Sequence, residues 1–351
     1  MEKRIAVLPG DGIGVDVTRE ARKVLEAASR AGSFGLRLEE MDYGAERYLR
    51  TGETLPAKVL EGFREYDSVF MGAFGDPRVP DMRHAADILL GTRFGLDLYA
   101  NVRPVRCLSD RLCPLSGYGA KDVDFVVFRE NTEGLYVGMG GNFKKGTPDE
   151  VAIQEDVNTR KGVERIIRCA FLYAVRNGRK KVTMSDKSNA LRFGHDLWQR
   201  AFWEVASEYP GIEANHLYVD ALTMQMVKDP RQFQVIVTCN MFGDIVTDLG
   251  AQLQGGLGMA ASGNIHPGAA SMFEPVHGSA PKYAGKDVAN PLGAILTAAM
   301  MLDHLGLGES ARWIEEAVVL CVESRECTAD VGGRLGTAAT GDAVARRVLA
   351  H

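Results

Sequence analysis

Short apolar runs alternate along the chain with longer amphipathic stretches, and this alternation predicts the fold class. The first run, RIAVLPG (4–10), precedes VDVTREARKVLEAASRAG (15–32), whose apolar residues recur at the three- and four-residue spacing of a helix. LRLEEMDYG (36–44) then returns to the pattern of a short strand. Further strand-like runs are DSVFMGAFG, VDFVVFREN, KKVTMSDK, HLYVDAL and QVIVTCNMFGD. Strands that alternate with helices in this way are typical of helices packed on a largely parallel sheet.

Composition and charge exclude several classes of protein. The 351 residues include 46 acidic and 41 basic side chains, giving a formal net charge of −5, and 46% of the residues are hydrophobic. This length and composition are typical of a globular chain with two lobes and a cleft in which a small molecule binds. Because Lys and Arg are not clustered, we expect neither a nucleic-acid nor a membrane partner.

Four further features concern the compartment and the surface. Six scattered cysteines without a CxxC pair, and an N-terminus without a signal-peptide apolar region, predict reduced thiols in a cytoplasmic protein. The longest apolar run (291–302) is too short to cross a bilayer and predicts a buried helix. The glycine-rich segment 134–150 predicts a hairpin or arm, with Lys144 and Lys145 on a solvated face.

The first strand runs into GDGIG (10–14), which invites comparison with a dinucleotide-binding fingerprint. In a G-x-G-x-x-G frame that starts at Gly10, however, the third glycine would fall on Val15. A tight strand-to-helix turn is therefore at least as good an interpretation as a Rossmann site.

Two aspartates four residues apart indicate a metal site. Asp244 and Asp248 lie in NMFGDIVTDLG (240–250) at the predicted start of a helix, where residues i and i+4 share one face. Asp220, at the predicted end of the strand HLYVD, is a third candidate. An all-oxygen ligand set suits Mg²⁺ or Mn²⁺. The alternative is that acidic residues simply favour helix N-termini.

Three arginines near predicted strand ends supply the opposite charge. Arg93, Arg103 and Arg129 each carry a planar guanidinium that pairs well with carboxylates. Beside a carboxylate-bound metal, they suggest a di- or tricarboxylate substrate. Tyr136 and Lys187 are candidates for proton transfer, although either residue taken singly is structural or solvated in most proteins.

A series of motifs, taken in order, gives the chain a family resemblance. They are LPGDGIG, LDLYANVRPVR, FRENTEGLYVG, SDKSNAL, YVDALTMQMV, NMFGDIVTDL, FEPVHGSAPKYAGKDVANP and ADVGG. With them the chain resembles the metal-dependent β-decarboxylating dehydrogenases, which act on isopropylmalate, isocitrate, homoisocitrate, and tartrate or D-malate. The resemblance covers essentially the whole chain. It implies NAD(P)-dependent oxidative decarboxylation of a 3-substituted (R)-malate with Mg²⁺ or Mn²⁺.

The resemblance implies a role for each matching residue. The substrate carboxylates would be bound by Arg93, Arg103 and Arg129, the metal by Asp220, Asp244 and Asp248, and the acid/base pair would be Tyr136 and Lys187. Asn189 would lie near the nicotinamide. The adenosine of the cofactor would bind a loop that includes Glu274, His277, Gly278, Ser279, Ala280, Lys282, Tyr283 and Asn290.

The resemblance also implies an architecture. It is an α/β, three-layer α/β/α, two-domain fold of the isopropylmalate dehydrogenase type, with a large mixed, mostly parallel sheet, and not a Rossmann fold. Residues 1–98 and 255–351 would form a discontinuous cofactor-binding domain. Residues 99–254 would form the substrate, metal and dimerisation domain, with an arm at about 134–155. Such enzymes are homodimers, in some cases higher oligomers, and Lys187 and Asp220 act in the partner's active site.

The residues before Arg93 indicate which malate is the substrate. On a helix, Leu89 and Leu90 share its face and would touch the C3 substituent. Two leucines cannot hold a third carboxylate, which disfavours isocitrate and homoisocitrate. 3-Isopropylmalate, an intermediate of leucine biosynthesis, ranks first because its alkyl group uses the apolar face most fully. D-malate or tartrate is a close second, because DPRVPD (76–81) and RENTEG (129–134) look closer to those dehydrogenases.

Lys282 and Tyr283 bear on the choice of cofactor. In NAD-preferring members these positions usually hold an acidic and an aliphatic residue. A lysine attracts the 2′-phosphate of NADP, which an acidic residue repels, so the pair favours NADP or dual specificity.

Two functions outside this reaction would use only some of these residues. A metal-dependent phosphatase built on Asp244 and Asp248 would leave Tyr136 and Lys187 without roles. A non-catalytic regulatory subunit would be expected to have lost catalytic positions, which this sequence keeps.

Overall fold

The protein, described here over residues 2–351 by a computed structural model, is a mixed α/β structure. Its strands are β1 (Glu2–Gly10), β2 (Gly35–Glu40), β3 (Ser68–Ala73), β4 (Ala100–Arg106), β5 (Asp124–Glu130), β6 (Gly140–Phe143), β7 (Val151–Gln154), β8 (Lys181–Asp186), β9 (Glu213–Tyr218), β10 (Val235–Thr238), β11 (Ala261–Ile265) and β12 (Ser271–Pro275). Its α-helices are α1 (Ile13–Ala31), α2 (Ala45–Thr51), α3 (Ala57–Gly62), α4 (Arg83–Gly95), α5 (Arg160–Arg176), α6 (Gly194–Ser207), α7 (Val219–Lys228), α8 (Asn240–Leu253), α9 (Leu292–His304), α10 (Gly308–Glu323) and α11 (Thr337–Val348).

Ten of these strands form one large sheet, in the order β2-β1-β3-β12-β11-β4-β5-β10-β8-β9. Most of the neighbouring strands run parallel, whereas β11 and β12 are antiparallel. This mixed, mostly parallel sheet confirms the fold class that the sequence predicts.

The chain divides into two compact units. The first contains Met1–Leu98, Arg103–Val123 and Ala251–His351, and the second contains Tyr99–Val102 and Asp124–Gly250. The assignment of cofactor binding to one part of the chain and of substrate and metal binding to another stays a prediction.

In the first unit, helices pack on both faces of β1, and because successive strand residues point in opposite directions, this strand contributes to two cores. Ile5 and Val7 of β1 join a core with residues of α1, α9, α10 and α11. Ala6 and Leu8, which alternate with them, join a second core with residues of α3 and α4. A parallel strand that is buried on both faces is apolar at consecutive positions, which explains the run that predicted it.

In the second unit, β5, β10, β8 and β9 are parallel neighbours. The helix α5 packs against β5, β8 and β10, and α7 packs against β8 and β9. Because β8 ends at Asp186, Lys187 stands directly at the carboxyl end of a buried strand. This is the edge at which open α/β sheets bind their ligands.

Several smaller predictions agree with the structure. The strands β6 and β7 pair antiparallel, so the glycine-rich segment does form a hairpin. The apolar run near the C-terminal end forms α9, most of whose residues are buried. All six cysteines are free thiols. Within residues 2–351, no helix has both the length and the apolar character needed to cross a membrane.

The predicted positions of three aspartates within their elements are wrong. Asp220 does not end a strand: β9 ends at Tyr218, and Asp220 lies in the first turn of α7. The backbone of Tyr218 is still extended (φ −61°, ψ 147°), and the chain becomes helical at Val219. Asp244 and Asp248 do not start their helix, because α8 already begins at Asn240.

Candidate active site

The GDGIG turn joins β1 to α1 and packs against the loop that the family resemblance assigns to the adenosine. Gly10 and Gly12 have positive φ angles of 77° and 57°. A Cβ atom on Gly12 would come within 2.1 Å of the carbonyl oxygen of Ser279, and the backbone N–H of Ile13 donates to that same oxygen over 2.8 Å. Glycine is therefore needed here for close approach of two backbones, which supports the tight-turn interpretation.

His277 contains an unsatisfied polar atom in the predicted adenosine loop. Burial lowers the pKa of this histidine, so its ring is neutral at pH 7. The Nδ1 atom lies 3.1 Å from the carbonyl oxygen of Gly278. The Nε2 atom is buried and has no hydrogen-bond partner among the described residues. A neutral ring that donates through Nδ1 leaves Nε2 as an acceptor.

The other loop residues differ in their surroundings. Lys282 and Tyr283 are exposed, and the ammonium of Lys282 lies 4.7 Å from the centroid of the Tyr283 ring. Ala280, just before them, has a positive φ of 35°. Asn290 has a structural role, because its Oδ1 accepts from the N–H of Leu292 over 2.9 Å at the start of α9. Ser279 is buried, whereas Gly278 is exposed.

The helix α4 carries three predicted substrate residues. Arg93 is buried, and its Nη2 donates to Oε1 of Glu274 over 2.8 Å. Its Nε is also buried and has no hydrogen-bond partner within residues 2–351. Leu89 packs against the second core of the first unit, and Leu90 is half-buried. Arg103 does not lie at a strand end, as predicted, but in the middle of β4, because the strand continues to Arg106; its side chain is buried.

Arg129 is the centre of a polar cluster in the second unit. Its side chain is 1% exposed, and its Nε and Nη2 donate to Oδ1 of Asn240 over 3.0 and 2.7 Å. Its Nη1 donates to Asp244. The hydroxyl of Tyr136 donates to the other oxygen of Asp244 over 3.0 Å, and the Tyr136 ring lies 5.2 Å from the guanidinium carbon. The structure thus brings together three predicted site residues, Arg129, Tyr136 and Asp244.

A second pair of predicted residues meets at the carboxyl end of β8. The Nζ of Lys187 lies 2.8 Å from Oδ1 of Asp220, and 5.8 Å from the centroid of the Tyr218 ring. The hydrogen bond from Lys187 lowers the pKa of the exposed Asp220 carboxyl. Asn189 is exposed in the turn that follows Lys187.

The three predicted metal carboxylates do not converge within the described chain. Asp244 and Asp248 lie one helical turn apart on α8, whereas Asp220 is paired with Lys187. Over residues 2–351 there is no group of three or more His, Cys, Asp or Glu side chains that could hold a metal ion. One chain therefore offers two carboxylates on one helix and a third on another.

Two residues that hold the predicted site were not predicted from the sequence. Asn240 accepts two hydrogen bonds from Arg129, and its amide donates to the carbonyl of Glu133 over 2.9 Å. Asn240 could have been predicted in the same way as Lys187, because it is also a polar residue just beyond a buried strand. His195 accepts a hydrogen bond from the backbone of Lys187, and nothing in the spacing indicated this contact.

Comparison with known proteins gives consistent results. The sequence profile of the family described as isocitrate/isopropylmalate dehydrogenase matches residues 4–344. The 3-isopropylmalate dehydrogenase of Thermobifida fusca (strain YX) is 47% identical over 347 residues, which are 98% of this chain and 97% of the relative. That of Nocardia farcinica (strain IFM 10152) is 47% identical over 340 residues, or 95% and 99%. The crystal structure of isocitrate dehydrogenase from Methylococcus capsulatus matches with a TM-score of 0.91 and 40% identity, covering 99% of both chains.

The fold and these relatives together define a decarboxylating hydroxy-acid dehydrogenase, an enzyme that acts on a small molecule with a nicotinamide cofactor and a divalent metal ion. The chain belongs to the isocitrate/isopropylmalate dehydrogenase family. The predicted family and enzyme class are confirmed, and the phosphatase alternative is excluded.

Proposed function

We propose that the protein converts 3-isopropylmalate to 4-methyl-2-oxopentanoate and CO₂, as a step of leucine biosynthesis. The observation that carries this choice is the apolar pair Leu89 and Leu90 on α4, the helix that also carries Arg93. The buried Nε of Arg93, which lacks a partner among the described residues, is suited to a substrate carboxylate. The two leucines beside it suit an alkyl substituent and disfavour a third carboxylate. The names of the relatives in Thermobifida and Nocardia support the same substrate.

D-malate or tartrate is the second candidate, on the strength of DPRVPD (76–81) and RENTEG (129–134). In the motif RENTEG, the second glutamate is Glu133, which accepts a hydrogen bond from the N–H of Thr159 over 2.8 Å at the start of α5. Its carboxylate therefore contributes to the local fold, which weakens the motif as an indicator of substrate. For this reason we propose 3-isopropylmalate as the substrate in preference to D-malate or tartrate.

The proton transfers are assigned to two residues of the chain. Lys187, at the end of β8, would take the proton of the substrate's 2-hydroxyl, directly or through water. Tyr136, whose hydroxyl is already ordered by Asp244, would return a proton to the carbon that loses CO₂. When bound, the nicotinamide accepts the hydride and the divalent ion supplies a Lewis acid at the substrate's oxygen.

The donor chemistry of the aspartates suits the metal ion. Asp244 and Asp248 offer only oxygen ligands, as Mg²⁺ and Mn²⁺ prefer, and the side chain of Asp244 is 40% exposed. Because one chain does not bring a third carboxylate to this pair, we assign it to Asp220 of the partner subunit. The active site would then be complete only in a homodimer.

The surface of the second unit supports such a dimer. Four large apolar side chains of the β6–β7 hairpin and its flank are about half exposed or more: Met139, Phe143, Val151 and Ile153. On α7, Met224 is 70% exposed. An isolated two-stranded hairpin is marginally stable in water, so that contact with a second copy would both order it and cover its apolar residues.

The predicted adenosine loop fits a nicotinamide dinucleotide. The buried acceptor Nε2 of His277 suits an N–H donor such as the adenine amino group. The exposed Lys282 favours the additional phosphate of NADP, so NADP or dual specificity is proposed.

Steady-state kinetics of the purified protein test the choice of substrate. Each of the four acids 3-isopropylmalate, D-malate, tartrate and isocitrate is assayed with NAD⁺ and then with NADP⁺. We expect the highest kcat/KM for 3-isopropylmalate. A value for isocitrate that equals or exceeds it would contradict the argument from Leu89 and Leu90. A preference for D-malate would establish the second candidate.

A further inference from the structure

His195 is a buried residue for which the proposed reaction has no role. It is the second residue of α6, and its side chain is 1% exposed. Its Nδ1 lies 2.8 Å from the backbone nitrogen of Lys187. On the other side, the Phe242 ring packs against it edge to face, with the centroids 5.5 Å apart. The imidazole is therefore enclosed between the Lys187 turn and the start of α8.

The contact with Lys187 fixes the form of the ring. A backbone N–H can only donate, so Nδ1 must be the acceptor and the neutral ring must carry its proton on Nε2. The nearest oxygen of Asp156 lies 3.8 Å from that Nε2. Burial lowers the pKa of His195, and the negative charges of Asp186 and Asp156 oppose this shift without reversing it. The neutral form is thus the one present at pH 7.

The main chain of Lys187 is held on its carbonyl side as well. Its carbonyl oxygen accepts from the N–H groups of Ala190 and Leu191, over 2.9 and 2.8 Å. The N–H of His195 in turn donates to the carbonyl of Leu191 over 3.1 Å. Both peptide groups that flank the Cα of Lys187 therefore have fixed partners. The side chain of His195 holds the first. The second is held by these backbone contacts and by the N–H of Ser188, which donates to Oδ1 of Asp186 over 3.0 Å.

We infer that His195 is a positioning residue for Lys187. It fixes the main chain of Lys187 and so restricts the direction from which the ammonium group can reach the substrate. The inference rests on the role proposed above for Lys187. Small displacements of a reacting group cost large factors in rate. Because His195 acts through Lys187, its loss should lower turnover much more than substrate binding.

Two substitutions separate positioning from packing. In His195→Asn the amide oxygen takes the place of Nδ1 and keeps an acceptor for the Lys187 N–H, whereas His195→Leu fills the space without one. In His195→Leu we expect kcat to fall at least about tenfold, while KM for the malate substrate stays within about threefold of the wild-type value. In His195→Asn we expect kcat to recover to within about threefold of the wild-type value. The control His304→Leu, on α9, should leave both constants unchanged. Equal kcat in the Leu variant and the wild type, or an Asn variant as slow as the Leu variant, would overturn the inference.

A second measurement uses the wild-type protein and needs neither a folded variant nor activity. In ¹⁵N-histidine NMR at pH 7.5, the resonance of His195 is expected to show the Nε2–H tautomer, with Nδ1 unprotonated. A proton on Nδ1 would refute the contact with Lys187. If instead the wild type turns over none of the four acids while the tautomer is as expected, the proposed function fails and the contact stands.

Discussion

Arg129 illustrates at the residue scale why a buried charge in this enzyme needs several partners. An isolated guanidinium in the interior is strongly disfavoured, and here Asn240 and Asp244 together accept hydrogen bonds from three of its nitrogens. The arginine was predictable from its place at the end of an apolar strand. Its partners were only partly predictable, because a side chain's hydrogen bonds depend on which elements the fold brings next to it.

Cofactor preference is also decided at the scale of one side chain. Lys282→Asp replaces the cation proposed to attract a 2′-phosphate with a carboxylate that repels it and accepts a hydrogen bond from a ribose hydroxyl. We expect the ratio of kcat/KM for NADP⁺ over NAD⁺ to fall by at least about tenfold, equivalent to about 1.4 kcal/mol. Lys286→Asp, an exposed change in the same loop, is the matched control. An unchanged ratio in Lys282→Asp would refute the assignment.

Among the helices and strands, hydrophobic periodicity predicted the type of element better than the residue at which the element ends. The strand β1 and the helix α1 follow from the apolar run at 4–10 and the amphipathic pattern at 15–32, and the observed elements extend at most two residues beyond either end of these patterns. The boundary between β9 and α7 was not predicted: the backbone is still extended at Tyr218 and becomes helical at Val219, within a run of apolar and polar residues that has no break there. The contact of His195 with Lys187 joins residues eight apart across an irregular turn, and no periodic sequence pattern predicts it.

The start of α5 gives a prediction on stability. The side chain of Thr159 accepts from the N–H of Gly162 over 3.0 Å, and its hydroxyl donates to Glu133. We expect Thr159→Ala to lower the free energy of unfolding by about 1 kcal/mol, the usual effect of losing an N-cap. Urea denaturation at fixed protein concentration measures this change. The control Thr147→Ala, in the exposed hairpin, should change the free energy of unfolding very little. A Thr159→Ala protein as stable as the wild type would show that the N-cap contributes nothing to stability.

For the whole molecule, two buried histidines make stability depend on pH. Burial lowers the pKa of both His195 and His277, so the unfolded chain binds protons more tightly than the folded one. Their contribution is therefore complete above the unfolded pKa of about 6.5 and is lost as the pH falls from there toward the folded values.

We expect the free energy of unfolding to be lower at pH 5.5 than at pH 7.5, as measured by urea denaturation at both values. The double variant His195→Asn/His277→Asn should show a smaller difference, and the control His351→Asn, at the exposed C-terminus, should show the full one. A double variant with the same pH dependence as the wild type would assign the effect to other groups.

The proposed homodimer is also a property of the whole molecule. Phe143→Asp/Ile153→Asp places two charges on exposed apolar positions of the hairpin, which are 65% and 55% exposed in the single chain. We expect sedimentation velocity to give a dimer for the wild type and a monomer for this variant, with activity lost together with the dimer. The matched control, Asn142→Asp, adds a charge at an already polar position of β6. A fully active monomer would contradict a site shared between subunits.

Identification of the reaction product is the decisive test of the proposed decarboxylation of 3-isopropylmalate. The purified protein is incubated with 3-isopropylmalate, a divalent ion and an oxidised nicotinamide cofactor, and the products are identified by mass spectrometry. We expect 4-methyl-2-oxopentanoate in an amount equal to that of the reduced cofactor, and no product after chelation of the divalent ion. Reduced cofactor without this product, or no turnover of 3-isopropylmalate under conditions in which isocitrate is oxidised, would contradict it.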